Sequence, residues 1–318
     1  MRILVVGAGA TGGYFGGRLL EAKQDVTFLV RPRRAAELAA SGLQIKSRFG
    51  DVTLPQPPTV LAENLHGEFD LILLSCKAYD LDDAMASFAP AVGAQTLILP
   101  LLNGMKHLDV LDQRFGPSHA LGGVCIVSSI MELGGRIVHV NDLHMISFGE
   151  RDGSRSSRVE AIAAAFSAAG FVSRISSSIL AEMWEKWIFI ATCAGINSLM
   201  RASVGDIVAA GADGLALELL AECAAIAASQ GYAARPLSME RNRASFTMRD
   251  SPLAASMFRD IERHARVEAD HVIGDLLRRG EEKKCLSPLM RVAYAHLKVY
   301  EARRARELAP GKRAAGVP

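Results

Sequence analysis

Six residues near the start of the chain, Gly7-Ala8-Gly9-Ala10-Thr11-Gly12, place glycines at the first, third and sixth positions of one short loop. They follow the apolar run Ile3-Leu4-Val5-Val6 and open a stretch of helical period reaching about Ala22. A strand, a glycine turn and a helix in that order let a pyrophosphate rest on the N-terminal amides of the helix. Gly7 then serves the tight turn, Gly9 the close approach of backbone to phosphate, and Gly12 the close packing of helix on strand. The loop predicts a dinucleotide site. The second apolar run, 25–30, ends in Arg31, where a site that reads ribose hydroxyls presents an acid. A guanidinium offers paired donors to a 2′-phosphate, so the expected dinucleotide is NADP(H). The alternative at this position is a solvated basic cluster with Arg33 and Arg34.

Two further polar residues, Lys77 and Asn103, each stand just beyond an apolar run, at the strand ends where open α/β sheets place ligand contacts. An exposed loop lysine and an Asn-Gly turn with Gly104 are the plain alternatives. In the second half, steps of about 100° per residue put Leu180, Met183, Trp184, Trp187 and Ala191 on one helical face, with Lys186 at its edge. A half-buried lysine there can donate a proton to an alkoxide forming from a carbonyl. The competing reading is a lysine whose head snorkels into water. Glu268 falls inside an apolar stripe drawn by Phe258, Ile261, Ala265, Val272 and Leu276 on a single continuous helix. A carboxylate in such a stripe needs a partner: Lys186, a polar ligand, or an arginine such as Arg201 or Arg235. His264 and His271 read as surface residues.

The elements that must position these groups alternate in the first half and are helical in the second. Strands are expected at 2–6, 25–30, 71–75, 96–99, 120–126, 135–139 and 144–148, the last ones as an antiparallel extension of a parallel doubly wound sheet. A helix at 156–169 and a short strand at 171–175 precede Ser176-Ser177-Ser178, which supply a cap for the helix that begins at Ile179. The boundary is placed at 176, giving 1–176 as the nucleotide domain, 177–305 as a helical substrate and dimerisation domain, and 306–318 as a flexible tail.

Composition narrows the class. With 50% hydrophobic residues and a formal charge of +2 in 318 residues, the chain supports two cored domains and gives no nucleic-acid surface. The basic run from Arg303 to Arg313 reads as a solvated, fraying terminus. Five cysteines, Cys76, Cys125, Cys193, Cys223 and Cys285, lack metal-ligand spacing and are expected as reduced, mostly buried thiols, with no metal bound. The apolar start is too short for a signal segment or membrane span, so the expected location is cytoplasmic and off the membrane.

Taken in order, the markers resemble the ketopantoate reductases (2-dehydropantoate 2-reductases), related in fold to 6-phosphogluconate dehydrogenases. These markers are the glycine loop with Arg31, Ser75-Cys76-Lys77-Ala78-Tyr79, Asn103-Gly104-Met105, Trp184-Glu185-Lys186, and 256–261 with Glu268 and Asp270 downstream. The resemblance implies an α/β chain, an N-terminal Rossmann sheet followed by an all-α domain of the 6-phosphogluconate dehydrogenase C-terminal type, with NADPH delivering hydride to a 2-oxo acid. It places the catalytic lysine on Lys186, the conserved glutamate, which also touches cofactor, on Glu268, and the substrate serine on Ser256. Cofactor contacts fall on Arg31, Lys77 and Asn103, the last also facing substrate.

The family pattern fails at three substrate positions. Asparagines expected four and eight residues beyond the lysine are Ile190 and Ala194, and a third, before the Gly-Asp pair, is Val204. Apolar side chains cannot hydrogen-bond a carboxylate or hydroxyl, so a bulkier or less polar 2-oxo acid is expected. Asn197 lies about 16 Å along a straight helix from Lys186, too far to replace them unless the helix bends at Gly195. The leading expectation is an NADPH-dependent 2-oxo acid reductase, with a homodimer through the helical half. The alternatives are a non-catalytic NADP-binding sensor or scaffold that kept the loop and lost its chemistry, and a flavoprotein, against which Arg31 speaks.

Overall fold

The computed structural model describes residues 1–309. The chain opens β1 (Arg2–Val6), α1 (Ala10–Glu21), β2 (Asp25–Leu29), α2 (Pro32–Ser41), β3 (Leu43–Lys46), β4 (Val52–Leu54), β5 (Thr59–Val60), β6 (Leu71–Leu74), α3 (Leu81–Phe88) and β7 (Leu97–Pro100). It continues α4 (Lys106–Phe115), β8 (Gly122–Met131), β9 (Ile137–Gly149), α5 (Ser157–Phe166) and β10 (Val172–Ile175). The helical half is α6 (Ile179–Met200), α7 (Val204–Ala209), α8 (Asp213–Ser229), α9 (Pro236–Phe246), α10 (Ser256–Glu262), α11 (Asp275–Glu282) and α12 (Pro288–Leu308).

The chain divides into two units. The first comprises Met1–Leu102 and His107–Met183; the second takes Asn103–Lys106 and the residues from Trp184 onward. Contacts therefore divide the chain within α6, seven residues beyond the expected boundary at 176, and draw the Asn103 turn into the helical unit.

In the first unit β5-β2-β1-β6-β7 form one parallel sheet, with Ile3 facing Val26 on one side and Leu71 on the other. The strands Leu71–Leu74 and Leu97–Pro100 are buried along their whole length, as apolar runs covered on both faces must be. From β1 the chain runs outward through β2 to β5, then returns to β6 on the other flank, so its direction reverses beside β1. Ligands bind at such a switch point, beyond the carboxyl ends of the strands.

The expected antiparallel extension is a sheet of its own, ordered β10-β9-β3-β4 with β8 paired antiparallel to β9. The segments expected at 135–139 and 144–148 are one strand of 13 residues. β3, β4 and β5 went unpredicted; β3 pairs with β9 through Ile45 and Ile137. Such pairings depend on partners far along the chain, which local periodicity does not show.

Ser156 caps α5 by accepting from Val159 N, and Ser176 accepts from Ser178 N ahead of α6. In the second unit α6 and α8 approach closely because Gly195 has no side chain: a Cβ there would lie 2.8 Å from Leu219. α6 runs without interruption through Gly195. Of the tail expected from 306, residues up to Leu308 continue α12, with Arg303 paired to Glu307; residues 310–318 lie outside the described residues.

Candidate active site

In the first unit the glycine loop has the geometry its residue types demand. Gly7 sits at φ +94°, a conformation that disfavours a side chain, and its N–H bonds to the Leu29 carbonyl. A Cβ at Gly9 would meet nothing within 4 Å, leaving a clear approach to the backbone, whereas one at Gly12 would lie 2.2 Å from the Gly7 carbonyl oxygen and 2.0 Å from Ser75 Oγ. Ser75 Oγ donates to the carbonyls of Val6 and Gly7 at 2.9 and 3.1 Å, fastening the loop to the end of β6. Gly9 is the N-cap of α1 without a side-chain acceptor. The first amides of α1, at Ala10, Thr11 and Gly12, therefore lack the intrahelical acceptors found further along a helix, and they suit an anion. The loop residue Ala8 is buried, and its carbonyl accepts from Arg34 Nε at 3.0 Å; Arg34 also reaches the Gly135 carbonyl.

Arg31 is the N-cap residue of α2, and its guanidinium lies 3.2 Å from Asp80. Lys77 is half-buried at the start of the short 3-10 turn Ala78–Asp80 that follows β6. Arg31, the glycine loop and Lys77 thus follow β2, β1 and β6, three adjacent strands.

The second unit holds the remaining expected residues. Lys186 is half-buried on α6 between two anchors. On one side Glu185 accepts from the Arg235 backbone N and guanidinium, at 2.6 to 2.9 Å; on the other Trp187, fully buried, donates its indole N–H to the Val272 carbonyl at 2.8 Å. Val272 N in turn donates to the Glu268 carbonyl at 2.9 Å. Two hydrogen bonds therefore link the segment of α6 beside Lys186 to the segment that begins at Glu268. Ser256, exposed, is the first residue of α10, and the preceding Ala255 N is held by Asn197 Oδ1 at 3.0 Å.

The helix expected through Glu268 is broken. α10 stops at Glu262, His264 takes φ +53°, and after a non-helical stretch the chain re-enters through a π-turn, Asp270–Gly274, before α11. Glu268 is half-buried at that re-entry, so the single apolar stripe through it does not exist. The arginines offered as its structural partners are engaged with Glu262, in the case of Arg201, and Glu185, in the case of Arg235.

His264 is exposed, as expected, but His271 is buried. Burial pushes the His271 imidazole below its ordinary range, and Lys106 pushes the same way; Glu268, Asp275 and a hydrogen bond to the Asn103 backbone pull it up. Gly104, at φ +79°, lets the Asn103 turn lie against His271: a Cβ there would come within 3.0 Å of its carbonyl. Asn103, His271 and Glu268 are thus neighbours in the second unit. His271 is the residue sequence reasoning missed; its place one residue after Asp270 in a segment holding Glu268 was the only signal.

A cavity of about 640 Å³ borders the other flank of the π-turn, lined by Lys106, Asp270, Gly274, Arg291 and Tyr294 among others. Burial alone would raise the Asp270 carboxyl, but hydrogen bonds from Tyr294 (2.6 Å) and Lys298 (3.0 Å) hold it below the usual range. Lys186, Glu268 and Ser256 are not among the residues that line it.

Among the positions that depart from the family pattern, Ala194 and Val204 are buried in the unit and Ile190 is half-buried. Asn197 is fully buried and satisfied by Ala202 O, Ala255 N and Cys193 Sγ. It joins α6 to the start of α10 and leaves the missing asparagines unreplaced.

Comparison with known proteins defines the class. The family described as ketopantoate reductase PanE/ApbA matches residues 3–153, and its C-terminal counterpart matches 178–301. The chain belongs to the ketopantoate reductase family, a family of oxidoreductases. It is 36% identical over 303 residues to an uncharacterized oxidoreductase, YkpB, of Bacillus subtilis, covering 95% of this chain and 99% of the relative. It is 28% identical to the 2-dehydropantoate 2-reductase of Mesorhizobium japonicum, over 86% of this chain and 89% of the relative. The crystal structure of 2-dehydropantoate 2-reductase from Methylococcus capsulatus superposes with a TM-score of 0.85 at 26% identity, over 97% of this chain and 99% of that one. Among the described residues, no helix is long and apolar enough to cross a membrane.

Proposed function

We propose that the protein is a cytoplasmic reductase of a 2-oxo acid that uses NADP(H), with Lys186 as proton donor and Glu268 orienting either that lysine or the substrate. The observation that carries the reading is the glycine loop, with Gly7 at positive φ, open space over Gly9 and no space over Gly12. Gly7 to Gly12 would hold the pyrophosphate, Arg31 and Lys77 the adenosine end, and Asn103 and Glu268 the nicotinamide end. The nicotinamide, when bound, supplies the hydride, which goes to the carbonyl carbon.

Lys186 gives a proton to the carbonyl oxygen as its electron pair becomes an alkoxide, and is reprotonated from water. Trp187 and Glu185, fastened on either side, restrict where that ammonium can reach. Asn103 and Ser256 would take the substrate's carboxylate. Ile190, Ala194 and Val204 offer no hydrogen bond, which favours a 2-oxo acid less polar than 2-dehydropantoate. A homodimer through the helical half belongs to the same reading, and Val292 and Val299, seven residues apart on α12, are exposed apolar side chains there.

The test is a panel of 2-oxo acids, ketopantoate included, assayed by NADPH oxidation with wild-type protein and Lys186→Ala. Turnover by wild type and a loss of at least ~100-fold in kcat in the variant, with NADPH affinity nearly unchanged, is the expected outcome. A fully active variant removes Lys186 from its role. Binding of NADPH with no turnover of any acid identifies a sensor instead.

A further inference from the structure

The Arg31–Asp80 pair has a position that bears on which dinucleotide the loop accepts, an inference that rests on the reading just given. Arg31 follows β2 and Asp80 ends the 3-10 turn that follows β6, and these strands flank β1, whose end carries the glycine loop. The ion pair, 3.2 Å long, therefore brackets the carboxyl end of β1. The guanidinium is 68% exposed and the carboxylate only 23%, so the acid is the more enclosed partner.

The other two arginines of the cluster are also engaged. Arg33 lies 3.0 Å and Arg34 3.1 Å from Glu37, and Arg34 is further committed to the carbonyls of Ala8 and Gly135. A 2′-phosphate approaching Arg31 carries close to two negative charges. It must displace the Asp80 carboxylate and then keep it as a like-charged neighbour a few ångströms away. Ribose hydroxyls meet the opposite situation, because a carboxylate accepts hydrogen bonds from them. Here that acid comes from the loop after β6 in place of the end of β2.

We propose that Asp80 sets the coenzyme preference of this protein, offsetting Arg31 so that NADH is accepted alongside NADPH. Asp80 is the N-cap residue of α3 but makes no side-chain cap hydrogen bond there, so the near-isosteric Asp80→Asn removes the charge without removing a cap. NADPH and NADH are titrated, by nucleotide fluorescence, into wild type, Asp80→Asn, Arg31→Ala and the double variant, all at low salt and again in high salt. Asp80→Asn is expected to shift the ratio of the two dissociation constants about fivefold toward NADPH, the effect shrinking in high salt. Arg31→Ala is expected to shift the ratio toward NADH and to abolish most of the gain in the double variant. A ratio unchanged by Asp80→Asn, with both nucleotides bound, overturns the role of Asp80 and spares the dinucleotide site. Failure of wild type to bind either nucleotide overturns both.

Discussion

Two glycines of one loop separate folding from binding at the level of single residues. At Gly12 a Cβ would meet the Gly7 carbonyl, which belongs to the turn and cannot retreat without moving the loop. Gly12→Ala should therefore destabilise the protein by about 1–3 kcal/mol, the usual range for overpacking, and weaken dinucleotide binding as well. At Gly9 the backbone is at φ −79° and the space is clear, so Gly9→Ala should change stability by less than about 0.5 kcal/mol. Its methyl group would occupy the approach to the pyrophosphate, and NADPH affinity should fall by about tenfold or more. Thermal unfolding and nucleotide titration on the two variants distinguish these outcomes; equal stability losses would contradict the assignment. Spacing alone made these glycine geometries legible. His271 was not legible, because burial depends on the Asn103 turn, 168 positions earlier, lying against it.

Elements were readable where their signal is local. The fully buried strands β6 and β7 announce themselves as apolar runs, and Ser156 marks the start of α5. The break after α10 left no such mark. His264 N donates to Ile261 O and Ala265 N to Asp260 O, the paired bonds of a Schellman stop, yet the left-handed position is filled by histidine where glycine is the usual residue. With neither glycine nor proline present, the period of α10 ran on and carried Glu268 into a helix that does not exist. The same fact gives a prediction. His264→Gly relieves the positive φ, and because the bond from Arg304 goes to the His264 backbone carbonyl, that contact survives. The variant should be more stable by about 1 kcal/mol. An unchanged or lower urea midpoint would show that the side chain itself holds the turn.

Across the whole molecule each unit buries a histidine whose neutral form the fold prefers, and both contribute to how stability follows pH just below neutrality. In the first unit His144 Nδ1 lies 2.7 Å from Tyr14 OH and its ring stacks on Phe49. Burial pushes its imidazole below the ordinary value, and His139 and the buried Arg18 push further in the same direction. In the second unit burial and Lys106 depress His271 against the pull of Glu268, Asp275 and the Asn103 backbone. The unfolded chain protonates both near the ordinary histidine value of about 6.5. Below that pH the unfolded state binds protons that the native state refuses, so stability is complete above it and declines until the depressed folded values are reached. Carboxylates act lower down: Glu150, held below its usual range chiefly by its hydrogen bond to Arg158, loses its contribution only below the ordinary carboxylate value. The interval from about pH 7 to about pH 5 therefore belongs to the histidines. Unfolding free energy from urea titrations should be lower at pH 5.5 than at pH 7.5, by a margin that narrows in His144→Gln and narrows further when His271→Gln is added. A wild-type stability that is flat across the interval, or a margin that both substitutions leave intact, would place the proton uptake elsewhere.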